Sequence, residues 1–302
     1  MIIKYGTNDK NIDITEICFT KLNNNGIITI PSNDDNRAGL FGDPIYGTLK
    51  KIFITNNGLT DLYDDKCTIK IDVNDNSTTI INEREFMNKL QNIHSKLQIK
   101  YGSFNEEFPE QKLTIMYLNG NEKVLEIGGN IGRNSLVIAS ILNDSKNLVT
   151  LESDNDIANQ LNENKILNKL DFHIVNSALS KRKLIQHGWD TIPSDVLIDG
   201  YKWVNTITFD DLKLKYNIEF DTLVLDCEGA FYYILIDMPE ILDNIKLIIM
   251  ENDYYDLYKK QYVDEILLKN HFYRDYVQCG GWGVCRNNFF EVWKKGFTSL
   301  NI

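Results

Sequence analysis

Five short apolar runs recur along the chain, at 123–127, 147–151, 171–175, 222–226 and 246–250. Between them lie segments of helical periodicity, at 133–142, 156–168, 209–216 and in a stretch after Gly229. Runs that are apolar nearly throughout, alternating with amphipathic helices, predict a parallel sheet covered on both faces. Two aromatic-rich runs follow, 271–278 and 288–293, joined through Cys279-Gly280-Gly281-Trp282-Gly283. They read as a terminal antiparallel hairpin.

The first part of the chain has a different texture. Short β-branched runs at 26–30, 51–55 and 68–73 are bounded by Asn, Asp and Gly clusters, which predicts a small β-rich domain over 1–82. The stretch 36–44 between them reads as an extended or turn-rich loop. Helical periodicity begins near Glu83, with Phe86, Leu90 and Ile93 on one face, and a second helical stretch lies near 107–119. The expected division is therefore an accessory domain at 1–82 and a larger domain at 83–302 with a helical lead-in over 83–120.

Charge narrows the function classes. Of 302 residues, 43 are acidic and 32 basic, a formal charge of −11, which disfavours phosphate backbones and anionic lipid as general partners. No apolar run approaches the roughly 18–20 residues of a membrane span, and the opening residues lack a secretory pattern. The five cysteines, Cys18, Cys67, Cys227, Cys279 and Cys285, form no C-x-x-C pair. That argues against a disulfide framework or structural zinc and predicts reduced thiols in a cytoplasmic protein.

The most informative segment runs from Val124 to Ser135, where a buried strand enters a glycine-rich turn and then a helix. Glycines suit a backbone that turns tightly and lets a ligand come close. The spacing fails the dinucleotide fingerprint, because Ile127 stands where the first glycine of G-x-G-x-x-G is needed. Instead a strand carboxylate, Glu126, precedes Gly128, Asn130 and Gly132, an arrangement suited to a ligand with a cationic amino-acid part. Glu152 ends the next run, twenty residues after Gly132, where an acid can accept hydrogen bonds from ribose hydroxyls. Ser177 and Ala178, after the third run, are small enough to admit an adenine edge.

Two carboxylates, Asp226 and Glu228, stand where the fourth run stops, and Glu251, Asn252 and Asp253 end the fifth. Open α/β sheets bind ligands at that edge, and such acids can take a proton or hold a divalent ion. Strand-end acids also serve as helix N-caps, so that reading stays open.

In this order the segments resemble the FkbM family of S-adenosylmethionine-dependent methyltransferases. The shared features are the first motif from Glu126 to Gly132, Glu152, Ala178-Leu179-Ser180, Thr206-Ile207-Thr208-Phe209-Asp210-Asp211, and Asp226-Cys227-Glu228-Gly229-Ala230. The match covers about residues 120–295. Gly129 stands where alanine is usual and Phe231 where an acid commonly follows. The resemblance implies a class I methyltransferase: a Rossmann-like α/β fold with a seven-stranded, mostly parallel sheet and a reversed final strand. It implies S-adenosyl-L-methionine as cofactor and transfer to a hydroxyl of a sugar, glycan or sugar nucleotide. The residues carried over for the cofactor are Glu126, Gly128, Asn130, Gly132, Glu152, Ser177, Ala178 and Asp226. The segments 30–32 and 36–38 are similar to those preceding such methyltransferases in large DNA viruses, which would put the protein in a host cytoplasm.

A sugar hydroxyl is a poor nucleophile at neutral pH, so a base or metal must assist it. Asp226 is the candidate base, with Glu228 and Glu251 beside it; alternatively Asp226, Glu251 and Asn252 or Asp253 hold Mg2+. His173 lies within a strand and reads as a sheet-face residue, whereas His187 sits in a loop. The connection 183–203 is long for this fold and reads as a lid or binding loop. Trp189, Trp203 and Trp282, with Tyr201, would stack on a sugar ring or seal the sheet edge. Arg37 and Asp43 read as turn-holding residues, with reach to an acceptor as the alternative. The N-terminal domain is a candidate acceptor-positioning module or homodimer surface. Competing classes are methyl transfer to a protein or small molecule, a non-catalytic cofactor- or glycan-binding module and, more distantly, a dehydrogenase.

Overall fold

The computed structural model describes residues 1–24 and 26–296. Seven strands form the large sheet, numbered here in chain order: β1 (Val124–Ile127), β2 (Leu148–Leu151), β3 (His173–Val175), β4 (Thr222–Leu225), β5 (Leu247–Glu251), β6 (Phe272–Gln278) and β7 (Phe290–Lys295). Their spatial order is β3-β2-β1-β4-β5-β7-β6. Only β7 runs against its neighbours, antiparallel to both β5 and β6. The parallel sheet with a reversed last strand is the architecture expected.

Strand side chains alternate between faces, so each strand feeds two cores. Leu125, Ile127, Val149, Leu151, Leu223, Leu225, Ile248 and Met250 pack with helices Phe209–Tyr216, Phe231–Asp237 and Leu257–Lys269. Val124, Leu148, Val224, Leu247 and Ile249 face the other way, toward helices Phe108–Tyr117, Arg133–Ile141 and Asn155–Leu167. The helix at 257–269 is an addition to the elements read from sequence.

Register positions the site. Ile127 pairs with Leu151 and with Leu225, and Leu225 pairs with Met250. Four strand ends therefore stand level. Gly128, Glu152, Asp226 and Glu251 come next along one edge.

The N-terminal residues form two four-stranded antiparallel sheets around a common core of Ile3, Tyr5, Ile28, Ile52, Ile69 and their neighbours. The last strand, Thr78–Asn82, leads directly into helix Glu83–His94, which Asn82 caps. Two readings need correction here. The stretch 36–44 is not all loop, because Asp34–Phe41 is a helix whose first turn is capped by the Asn33 side chain on the Asp35 amide. Its Arg37 is fully buried and donates to the carbonyls of Pro31, Asp64 and Cys67 at 2.9, 2.7 and 2.9 Å. Three acceptors for one guanidinium meet the need of a buried charge, and they tie the helix to the sheet. Asp43 pairs with Lys50 at 3.0 Å. The connection 183–203 is likewise not a plain loop but a three-stranded antiparallel sheet, Leu184–His187, Asp190–Pro193 and Lys202–Val204.

The N-terminal sheets dock on the terminal hairpin. Lys70 reaches Asp275 on β6 at 2.7 Å, and the Tyr117 hydroxyl donates to the same carboxylate at 2.7 Å. Among the described residues no helix is long and apolar enough to cross a membrane.

Candidate active site

At the level strand ends lies a cavity of about 540 Å3. The β1 turn and the β4 end meet at its floor. Gly128 adopts φ +91°, and a Cβ there would sit 1.6 Å from the Asp226 carbonyl oxygen, so only glycine fits. Asn130 follows in the left-handed region at φ 46°, as do Glu107 at 52° and Glu228 at 49°. Non-glycine residues rarely hold that conformation, and its concentration around one cavity is typical of a functional site.

Glu152 is held rigidly. One carboxylate oxygen accepts the Asn130 amide at 2.9 Å and the other accepts the Asp154 amide at 2.8 Å. The side chain is buried yet lines the cavity, beside Ser177 and Ala178. Asn130 donates from its side chain to Glu107 at 2.8 Å, and Arg133 reaches the same carboxylate at 2.6 Å. The glycine turn is thus clasped from the lead-in segment.

The lining is strongly acidic. Glu107, Glu110, Glu152, Asp226, Glu228, Asp237, Glu251 and Asp253 all face it, against a single cation among the described residues, Arg182. That cation is already engaged, its Nε and Nη2 reaching the Asp237 carboxylate at 2.5 and 2.8 Å. Asp226, Glu251 and Asp253 each offer an oxygen within 4.8 Å of the others. Burial, then Glu110 and other neighbouring acids, holds the Asp226 carboxyl well above the usual range. Glu251 is raised by burial, then by Glu110 and Asp226, and Asp253 by burial. Glu228, whose chain reaches solvent, is pushed up to about 7 by partial burial and by Asp253. Such a set accepts positive charge readily, as protons or as a cationic ligand.

Several candidates lie elsewhere. Glu126 does not open into the main cavity. It shares the strand parity of Val124, so it points under helix Arg133–Ile141, where the Ser135 hydroxyl donates to it. It borders only a small adjoining cavity, and burial pushes it up to about 7. Gly132 starts that helix at φ 94° and packs toward Leu161. Asn252 is turned away, its side chain donating to the Asn288 carbonyl at 2.6 Å, and Asp253 takes the place assigned to it beside Glu251. Trp189 and Trp282 line the cavity, whereas Trp203 pairs with Ile185 in the small sheet and does not. His173 packs on Tyr216 at 4.5 Å and His187 on Tyr201 at 5.5 Å, both outside the lining.

Sequence reasoning missed Glu107, Glu110, Arg182 and Gln186. The first two belong to Glu107-Phe108-Pro109-Glu110, whose acids and proline signal a helix start and nothing more.

The sheet order, its one reversed strand and the glycine turn facing strand-end acids define a class I methyltransferase fold. No protein-family model and no curated protein matches the chain. Solved structures that are similar include an O-methyltransferase from Bacillus cereus in complex with SAH, at 15% identity over 70% of this chain and 88% of that one, TM-score 0.40. The O-methyltransferase TomG from Streptomyces achromogenes, involved in tomaymycin synthesis and in complex with SAM, is 14% identical over 70% and 90%, TM-score 0.40. A ribosomal protein L11 methylase from Lactobacillus delbrueckii subsp. bulgaricus is 11% identical over 66% and 82%, TM-score 0.40.

Proposed function

We propose that the protein is an S-adenosylmethionine-dependent O-methyltransferase of the FkbM type, acting on a sugar hydroxyl of a glycan or sugar nucleotide. The observation that carries this reading is the row Gly128, Glu152 and Asp226 at one level of the sheet edge, opening on an acidic cavity. When bound, the cofactor supplies an electrophilic methyl group on a sulfonium.

The chain's own residues supply the rest. Glu152, fixed by two amide donors, keeps lone pairs free for the ribose hydroxyls, and Gly128 lets the backbone come close. Ser177 and Ala178 border the adenine side. The surrounding carboxylates favour a cationic donor over its neutral product, which assists release after transfer. Asp226 takes the hydroxyl proton of the acceptor. In its ionised form it is a stronger base than an ordinary carboxylate, because burial and the neighbouring acids raise its proton affinity. Trp189 and Trp282 offer aromatic faces at the mouth for a sugar ring.

Calorimetry with S-adenosylmethionine and its demethylated product tests the donor site; no heat with either removes the reading. Incubation with labelled cofactor and a panel of sugars, nucleotide sugars and oligosaccharides tests the acceptor. Label transferred only to a protein or a non-sugar molecule would keep the methyltransferase and discard the sugar.

A further inference from the structure

Four carboxylates converge where β4 and β5 end beneath the lead-in helix, and two of them carry buried oxygens with no hydrogen-bond partner. These are Glu110 Oε2 and Asp253 Oδ1, on residues each 8% exposed. Both side chains line the same cavity as Asp226 and Glu251. A buried carboxylate oxygen without a donor is costly, and a cluster of them more so, unless positive charge enters.

Protein cations do not supply it. Arg182, the one cation lining the cavity among the described residues, is bidentate to Asp237. Arg133, on the other side, pairs through its two Nη groups with Glu106 and Glu107. The amide of Asn252, which lies between Glu251 and Asp253 in sequence, does not supply it either, since it donates to the Asn288 carbonyl.

We propose that Asp226, Glu251 and Asp253 ligate a hard divalent cation, Mg2+, Mn2+ or Ca2+, and that Glu110 closes the site from the lead-in helix. The donor set is all oxygen, with no sulfur or imidazole in the group, which selects hard cations over zinc. Three oxygens within 4.8 Å of one another form one face of a coordination shell. The opposite face opens on the cavity, where water or an acceptor hydroxyl completes it. Glu110 stands next to Glu251, close enough to hydrogen-bond with it. It comes from a helix outside the strand-end motifs, so the cation would also pin the lead-in helix to the sheet edge. The cation's part in catalysis, lowering the proton affinity of a bound hydroxyl, rests on the methyl-transfer reading; its binding does not.

The test uses the full chain, stripped with EDTA and dialysed, and titrated with Mn2+ by electron paramagnetic resonance and with Mg2+ and Ca2+ by calorimetry. One site per chain is expected, with affinity falling about tenfold or more in Asp253→Asn and in Glu110→Gln. Circular dichroism and thermal melts confirm that each variant is folded; removing a charge from the crowded group should leave the metal-free fold at least as stable. Absence of binding to all three ions in folded wild-type protein overturns the proposal. So does Mn2+ binding unchanged in both variants, which would put the ion elsewhere. Binding of the demethylated cofactor product is measured separately in EDTA. Its absence alongside intact Mn2+ binding defeats the methyltransferase reading and leaves the cation site standing.

Discussion

The carbonyl oxygen of Asp226 occupies the space where Gly128 would carry its side chain, 1.6 Å from an ideal Cβ. The glycine turn and the end of β4 are thus fitted together backbone to backbone, and neither can shift without the other. Gly128→Ala should disrupt both. The positive φ alone costs on the order of 1–3 kcal/mol for a side chain, and the clash adds to it. Urea unfolding should show that loss, and calorimetry should show donor binding abolished; normal donor affinity would disprove the fit.

Glu152→Ala leaves the Asn130 and Asp154 amides without their acceptor. The expected loss is about 1–3 kcal/mol in donor binding, or roughly five- to 150-fold in Kd. Glu152→Gln, which keeps one oxygen acceptor, should fall between the two. Isothermal titration with the demethylated product ranks the three proteins.

Glu126 makes a pH prediction whose sign follows from its burial. Its carboxyl is raised from 4.5 to about 7 in the folded chain, so the unfolded chain releases the proton first. Its stabilising effect is complete below pH 4.5 and is lost as pH rises through about 7. The ligand-free protein should therefore lose on the order of 3 kcal/mol between about pH 4.5 and 7 from this group alone. Glu126→Gln should flatten that slope in urea midpoints measured across the range. An unchanged slope would show that Glu126 titrates normally.

The tryptophans divide by position. Trp189→Ala and Trp282→Ala should each raise the acceptor KM several-fold, consistent with about 1 kcal/mol per aromatic contact, with little effect on donor binding. Trp203→Ala, outside the cavity lining, should leave KM unchanged. Steady-state kinetics on the three variants decides it, and equal effects would mean that Trp203 also reaches the acceptor.

Much of the large domain was legible because buried parallel strands leave nearly continuous apolar runs, as at 223–225 and 247–250. The acids that follow those runs were legible for the same reason: strand ends mark the ligand edge. That Glu126 faces helix Arg133–Ile141 rather than the main cavity follows from strand parity, since a strand sends alternate side chains to opposite faces. The helix Asp34–Phe41 hid behind polar letters, because Asn33 and Arg37 act through capping and tertiary carbonyl contacts rather than an apolar stripe. Glu110 could not be read at all, for its role arises only where two elements distant in sequence meet. The small sheet at 184–204 was obscured by strands of three or four residues, too short to show a period.

The Lys70–Asp275 pair joins positions 205 residues apart. During synthesis on the ribosome the N-terminal sheets emerge well before β6 and β7. Until they arrive, β5 has a bare flank and Lys70 has no counterpart, so nascent chains stalled before the hairpin should be the species that chaperones must shield.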